Sequence, residues 1–174
     1  MQASLKPEAY NFNSWREELL FTGNIVQDGD NSVSSADREH RFKRYIQILD
    51  AITGLEGMDA FVALVDSLQA KEDYGAYQST YCALRRFPAK VAAQGLIVGL
   101  PPLIHRQRDC AGDILAQLAN ATSHENLALL SAFRKELELT SAPTRTMIMD
   151  FVTQEENGGW LDGRRKGVIR STGN

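Results

Sequence analysis

Cysteine is scarce in this chain. Cys82 and Cys110 are the only two in 174 residues, too few for a disulfide framework, and both fall within apolar helical patterns where a free thiol behaves as a small hydrophobe. No uninterrupted apolar run approaches the roughly 18 residues a membrane span needs. The stretch Met1–Tyr10 carries Lys6, Pro7 and Glu8 where a secretory signal would need an apolar core. The expectation is a cytoplasmic protein that neither crosses nor anchors to a membrane. Period-two alternation, the mark of half-buried strands, is almost missing as well.

Catalytic and metal-binding patterns are equally sparse. The three histidines, His40, His105 and His124, are far apart, and none has a second histidine or a cysteine at metal-ligand spacing. His105-Arg106-Gln107-Arg108-Asp109 has the look of a kinase catalytic loop, but no glycine-rich loop, strand lysine or Asp-Phe-Gly accompanies it. Glu39 and His40 are adjacent on a helix and so point about 100° apart, which reads as a solvated face. Cys82 has Arg85 and Arg86 nearby but no histidine to act as its base, and core packing accounts for it. The residues therefore give no catalytic site, no metal and no cofactor; an enzyme would require distant carboxylates or histidines to converge on folding.

What is present is helical periodicity. Apolar residues at 43% and charged residues at 24% are in the globular range, and the length suits one domain. Residues 1–13 read as an irregular arm. Ser14 is a plausible N-cap for a short helix through Trp15, Leu19 and Leu20 to Gly23, and Gln27–Ser35 reads as a loop. Ser34 with Asp37 resembles a capping box ahead of Phe42, Tyr45, Ile46, Leu49 and Ile52, a run that Gly54 ends. A third helix follows Gly57 with Phe61, Leu64, Val65 and Leu68 on one face. A fourth follows Lys71-Glu72-Asp73 with Tyr74, Tyr77, Tyr81 and Leu84 in register.

Pro88 suits the first turn of a fifth helix, apolar nearly all round from Val91 to Leu100 despite Gly95 and Gly99, with Pro101-Pro102 as its end. This helix should be the most buried. A sixth, about Gln107 to Leu118, turns Ala111, Ile114, Leu115 and Leu118 inward and ends at Asn120. Thr122 with Glu125 patterns as another capping box for a seventh through Leu127, Leu130, Phe133 and Leu137. An eighth begins near Ser141 and Pro143 and buries Met147, Ile148 and Phe151. The reading is all-α, about eight antiparallel helices stacked as HEAT-like helical pairs, with residues 1–156 one domain and 157–174 a loose, glycine-rich basic tail that Trp160 tacks onto the body.

Charge divides the same way. Leu161–Asn174 carries a net +3 from Arg164, Arg165, Lys166 and Arg170 against Asp162, leaving −6 on the remainder of a chain whose total is −3. An acidic body disfavours nucleic acid and favours a basic protein partner. The surface proposed by the sequence comprises Glu72, Asp73, Asp109 and Asp113, with Tyr74 and Tyr77 as aromatic anchors, because the fourth and sixth helices should lie side by side. The tyrosine stripe reads either as such an anchor or as core with hydroxyls at its edge. Asp109 suits a helix N-terminus, and Asp113 is left without a local explanation.

The fourth, sixth and eighth helices start about 34 or 35 residues apart, near Tyr74, Asp109 and Pro143, a spacing of helical-pair repeats. PPLIHRQRDCAGDILAQLAN, residues 101–120, resembles a unit of the HEAT or armadillo type, departing from it in lacking a hydrophobic first helix directly after the proline. GMDAFVALVDSLQAKEDYGAYQSTYCALRRFPAKVAAQGLIVGLPPLI (57–104), followed by RDCAGDILAQLAN, resembles the all-helical immunity proteins of bacterial contact-dependent growth inhibition and polymorphic toxin systems. The resemblance implies a protein that neutralises a cognate toxin domain, such as a basic nuclease, by blocking its active site; a monomer is expected. It transfers no residue role. The competing expectation is an α-helical adaptor or structural subunit of a complex.

Overall fold

A computed structural model of the protein describes residues 11–171; most of the expected N-terminal arm lies outside that range. The chain is all-α, with eight helices and no strand among the described residues: α1 Phe12–Gly23, α2 Ser35–Asp50, α3 Met58–Asp66, α4 Ala76–Leu84, α5 Ala89–Arg106, α6 Arg108–Ala119, α7 His124–Leu139 and α8 Ala142–Gly158. The odd-numbered helices touch in series, α1 on α3, α3 on α5 and α5 on α7, while α2 packs on α4. Within the pairs, α1 meets α2, α3 meets α4 and α5 meets α6. This is the layering expected of stacked pairs, with α8 laid back against α5.

Side-chain caps set several of the boundaries. At α2 the Ser34 hydroxyl accepts the Asp37 N–H at 3.1 Å, which is the expected cap, and it donates to the Asp37 carboxylate at 2.7 Å, where a capping box would have that carboxylate accept the Ser34 backbone N–H. The other end of α2 comes at Asp50, before Gly54, because the Arg86 guanidinium donates to the carbonyls of Leu49, Asp50 and Ile52 and satisfies the last turn from outside. Two starts differ from the sequence expectation by a few residues. Asn11, not Ser14, caps α1, and Ser123, not Thr122, caps α7 by accepting the Asn126 N–H at 3.2 Å.

The larger difference is in α5. Pro101 and Pro102 lie inside the helix, which continues to Arg106. Each interior proline removes a backbone N–H hydrogen bond and costs about 3 kcal/mol. Stopping there would expose Leu100 and Leu103, both wholly buried, and burial of a leucine side chain stabilises by roughly 1.5–3 kcal/mol. Beyond the prolines, Arg106 also reaches the end of α3, pairing with Asp66 at 3.6 Å, and Gln107 donates to the Gln69 carbonyl at 2.5 Å. Tertiary contacts thus carry the helix through a break that local chemistry favours.

The helix is as central as its composition suggests, touching α3, α6, α7 and α8. Gly95 explains how α3 comes so close: a Cβ there would lie 2.3 Å from Phe61 Cδ1. Phe61 in turn meets Phe87 edge-on at 5.4 Å between ring centroids. Of the residues expected inside, Phe61, Leu64, Leu84, Leu115, Leu118, Leu130 and Phe151 are buried. Ile97 and Met147 are only half-buried, and Leu127, in the first turn of α7, is 50% exposed. Cys82 is exposed, contrary to the core packing expected of it, with its sulfur 3.0 Å from an Arg85 nitrogen.

Residues 159–171 correct the sequence reading most. The expected loose tail is packed: Leu161 and Ile169 are buried in the core, on either side of a 3₁₀ turn at Gly163–Arg165. Two buried carboxylates at the end of α8 hold it. Glu155 pairs with Arg108 and accepts the Trp160 N–H at 3.3 Å, while Glu156 pairs with Arg170 and accepts the Gly167 N–H at 2.8 Å. The Arg134 guanidinium donates to the Val168 carbonyl from α7. Buried carboxylates persist when paired and hydrogen-bonded, and here the basic tail supplies one partner, Arg170.

Candidate protein-binding face

The proposed face begins in the turn Lys71–Gly75 between α3 and α4. Its backbone is fixed by Gln27, whose side-chain amide donates to the Glu72 carbonyl at 2.9 Å and accepts the Glu72 N–H at 3.1 Å. The Glu72 side chain stays exposed. Gly75 occupies the N-cap of α4 and has no side chain to offer, so Asp73 takes over the task by accepting the Tyr77 N–H at 2.8 Å. Tyr74 is outside the helix, at φ 48°, the one non-glycine residue described with positive φ. Its ring is about half exposed, and its hydroxyl accepts the Asp28 N–H at 2.8 Å.

Tyr77 is core. Its ring is 3% exposed, and its hydroxyl accepts the Gln69 and Ala70 N–H groups at 2.8 and 2.6 Å and donates to the Gly23 carbonyl at 3.1 Å. Burial pushes the phenol up to about 12. One hydroxyl thereby closes the ends of both α1 and α3. It is not an anchor for a partner, because the helical register that put Tyr74 and Tyr77 on one stripe breaks at Gly75.

The other half of the face lies on α6. Asp109 sits exposed in the first turn, where a carboxylate meets the positive end of the helix. Asp113, one turn on, is half-buried and doubly bonded. The Trp160 indole N–H donates to it at 2.7 Å and the Tyr81 hydroxyl at 3.3 Å. Trp160 reaches it by lying flat over Gly112, where a Cβ would be 3.1 Å from the ring. Asp113, unexplained by its local sequence, is the group that pins the C-terminal segment to α6.

The two halves adjoin as expected. Tyr81 to Asp113, and Arg85 to Gln117 at 3.3 Å, link α4 to α6. Between them Cys110 is buried, and burial pushes its thiol up to about 11 against the lowering effect of a hydrogen bond with Tyr81, with smaller raising contributions from the carboxylates of Asp113, Asp73 and Asp109. Trp160, 37% exposed, belongs to the same region. The only sequence signal for it was an apolar residue set in a charged, glycine-rich run.

His40, His105 and His124 are all exposed, and Glu39 is engaged by Lys43 at 2.5 Å. Among the described residues no three His, Cys, Asp or Glu side chains are grouped so as to hold a metal ion, and no helix is long and apolar enough to cross a membrane. Comparison with protein-family models, curated proteins and solved structures finds no match for the chain.

Proposed function

We propose that this protein is an immunity protein, a non-enzymatic binder that neutralises a basic toxin domain by covering its active site with the acidic end of the helical stack. The observation that carries the reading is the pair of side-chain bonds from α4 to α6, Tyr81 to Asp113 and Arg85 to Gln117, both at 3.3 Å, since they join the helix that follows Glu72 and Asp73 to the helix that bears Asp109. Glu72 and Asp109 supply exposed charge, and Tyr74 and Trp160 supply aromatic contact area of the kind that dominates binding energy at interfaces. Asp113 acts behind the surface by orienting Trp160.

Opposite charge steers encounter, so raising ionic strength should slow association more than it speeds dissociation. The test is titration of the purified protein against the product of the adjacent gene, with a growth-protection assay alongside. Glu72→Lys combined with Asp109→Lys should weaken binding at least tenfold, about 1.4 kcal/mol, and lower Tm by only a few degrees, because both side chains are exposed and the loss of Asp109 from the helix end costs about 0.3–1 kcal/mol. Unchanged affinity and full protection in that variant would remove this face from the interface. Absence of any complex would remove the immunity reading and leave an adaptor role for the same surface.

A further inference from the structure

The sequence makes α5 apolar nearly all round, and a helix of that kind is normally covered on every side. The fold leaves one side open. Val98, midway along α5, is 51% exposed, and it shares a concavity of about 380 Å³ with Met58, the first residue of α3, and Leu139, the last of α7. Half-buried Ile97 forms part of the lining. Single exposed apolar residues are ordinary on a protein surface, but a contiguous group of them marks an interaction site. Pro102, one turn beyond Val98 and also exposed, extends the apolar stripe along α5.

The rim of this face carries charge of both signs. Glu136 lines the concavity, and its carboxylate accepts only from the Gln94 amide, at 3.5 Å. Lys90 is one turn before Gln94 on α5 and Lys135 one turn before Leu139 on α7, so both flank the apolar centre. Each is exposed, and neither lysine nor Glu136 forms an ion pair among the described residues. A two-fold contact sets one patch against its own copy, so residues near the axis must be apolar and those around it must include both signs. This face meets that requirement. The acidic face, whose exposed charges at Glu72 and Asp109 are of one sign, would repel its own copy. Size agrees as well, since α3, α5 and α7 lie side by side. They span about 25–30 Å at the usual helix spacing and roughly 27 Å along the 18 residues of α5, and a stable dimer needs about 800 Å² from each copy.

We propose that this face binds a second copy of the chain, forming a two-fold homodimer. Met58, Val98 and Leu139 of the two copies pack together at the centre, and Glu136 of each reaches Lys90 or Lys135 of the other. The interface uses no residue of the acidic face, so Glu72, Asp109 and Trp160 stay open on each copy. The proposal is therefore independent of the immunity reading.

The test is sedimentation of the full chain from about 1 to 500 μM, a range that includes the weak end for interfaces of this size. The expected result is a mass that rises with concentration from 19.3 kDa towards twice that value. Leu139→Glu, at a 72% exposed position, should weaken dimerisation at least tenfold, while Tm at the lowest concentration stays within a few degrees of the unmodified chain. Leu127→Glu, at an exposed leucine outside the face, should leave dimerisation unchanged. Charge exchange supplies a check that a folding defect would not imitate. Glu136→Lys, and the double variant Lys90→Glu with Lys135→Glu, should each dimerise at least tenfold more weakly alone, since like charges then meet. Mixed together they should recover the affinity of the unmodified chain as a heterodimer. A monomer at every concentration would overturn the proposal and leave this face to a different protein. Undiminished dimerisation in Leu139→Glu, an equal loss in Leu127→Glu, or no recovery on mixing the charge variants would overturn it too.

Discussion

Asp113 performs two tasks that substitution can separate. In Asp113→Ala the Trp160 N–H and the Tyr81 hydroxyl both lose their acceptor, at 2.7 and 3.3 Å. A hydrogen bond to a charged group contributes about 1.5–3 kcal/mol. The indole is partly exposed and recovers water, and the Tyr81 bond is long, so the net cost should be about 2 kcal/mol. For a chain of this size that is a fall of about 4–8 °C in Tm, read by far-ultraviolet dichroism, with a change in tryptophan fluorescence as Trp160 lifts from Gly112. Asp113→Asn keeps an oxygen for Trp160 and should lose less than half as much, but it removes the negative charge beside Cys110. The thiol, held at about 11 partly by that charge, should then ionise at lower pH and react faster with iodoacetamide at mildly alkaline pH, measured in a Cys82→Ser background so that only the buried thiol reports. Unchanged Tm in the alanine variant, or unchanged Cys110 reactivity in the asparagine variant, would refute this account of the site.

Three further outcomes test the packing. Gly95→Ala places a Cβ 2.3 Å from the Phe61 ring and should destabilise by about 1–3 kcal/mol through overpacking; a neutral effect in a urea titration would mean that α3 and α5 are less closely apposed. Leu115→Ala and Phe133→Ala, both at wholly buried positions, should each cost about 2–5 kcal/mol, against under half a kilocalorie for Leu127→Ala at its exposed site. The folded state should also weaken in alkali. Cys110 is raised from 9.0 to about 11 and Tyr77 from 10.0 to about 12, so the unfolded chain releases these protons first. The stability they supply is fully present below about pH 9 and is lost as pH rises through 11 to 12; a flat stability profile from pH 8 to 11 would contradict the burial of both groups.

Helix content and order were legible in the sequence because each helix carries its own periodicity and most carry their own boundary chemistry, as at Ser34, Gly57, Asn120 and Ser141. The misreadings arise where distant parts of the chain decide. Pro101-Pro102 signals a stop, and only the burial of Leu100 and Leu103 against other helices overrides it. Tyr74 and Tyr77 share a helical stripe on paper, yet Gly75 starts the helix after Tyr74 and leaves one ring outside and the other in the core. The C-terminal segment reads as solvated from its glycines and charges, because nothing local announces that Glu155 and Glu156 are buried and await Arg108 and Arg170. At the candidate face, the adjacency of α4 and α6 followed from the repeat spacing. The engagement of Asp113 with Trp160 did not, since it joins residues 47 apart.

The series α1–α3–α5–α7 also has a bearing on cooperativity. In a regular solenoid the seams between pairs are alike, and unfolding can begin at any of them. Here the broad contact joining α1–α4 to α5–α8 among the described residues is the one between α3 and α5, which depends on a glycine facing a phenylalanine ring. The remaining bridges are narrower, made by side chains such as Arg106, Gln107 and Tyr81. The single melting transition expected of a domain this size thus rests on one seam, and a wedge driven there would let the front and back halves of the molecule open as separate units.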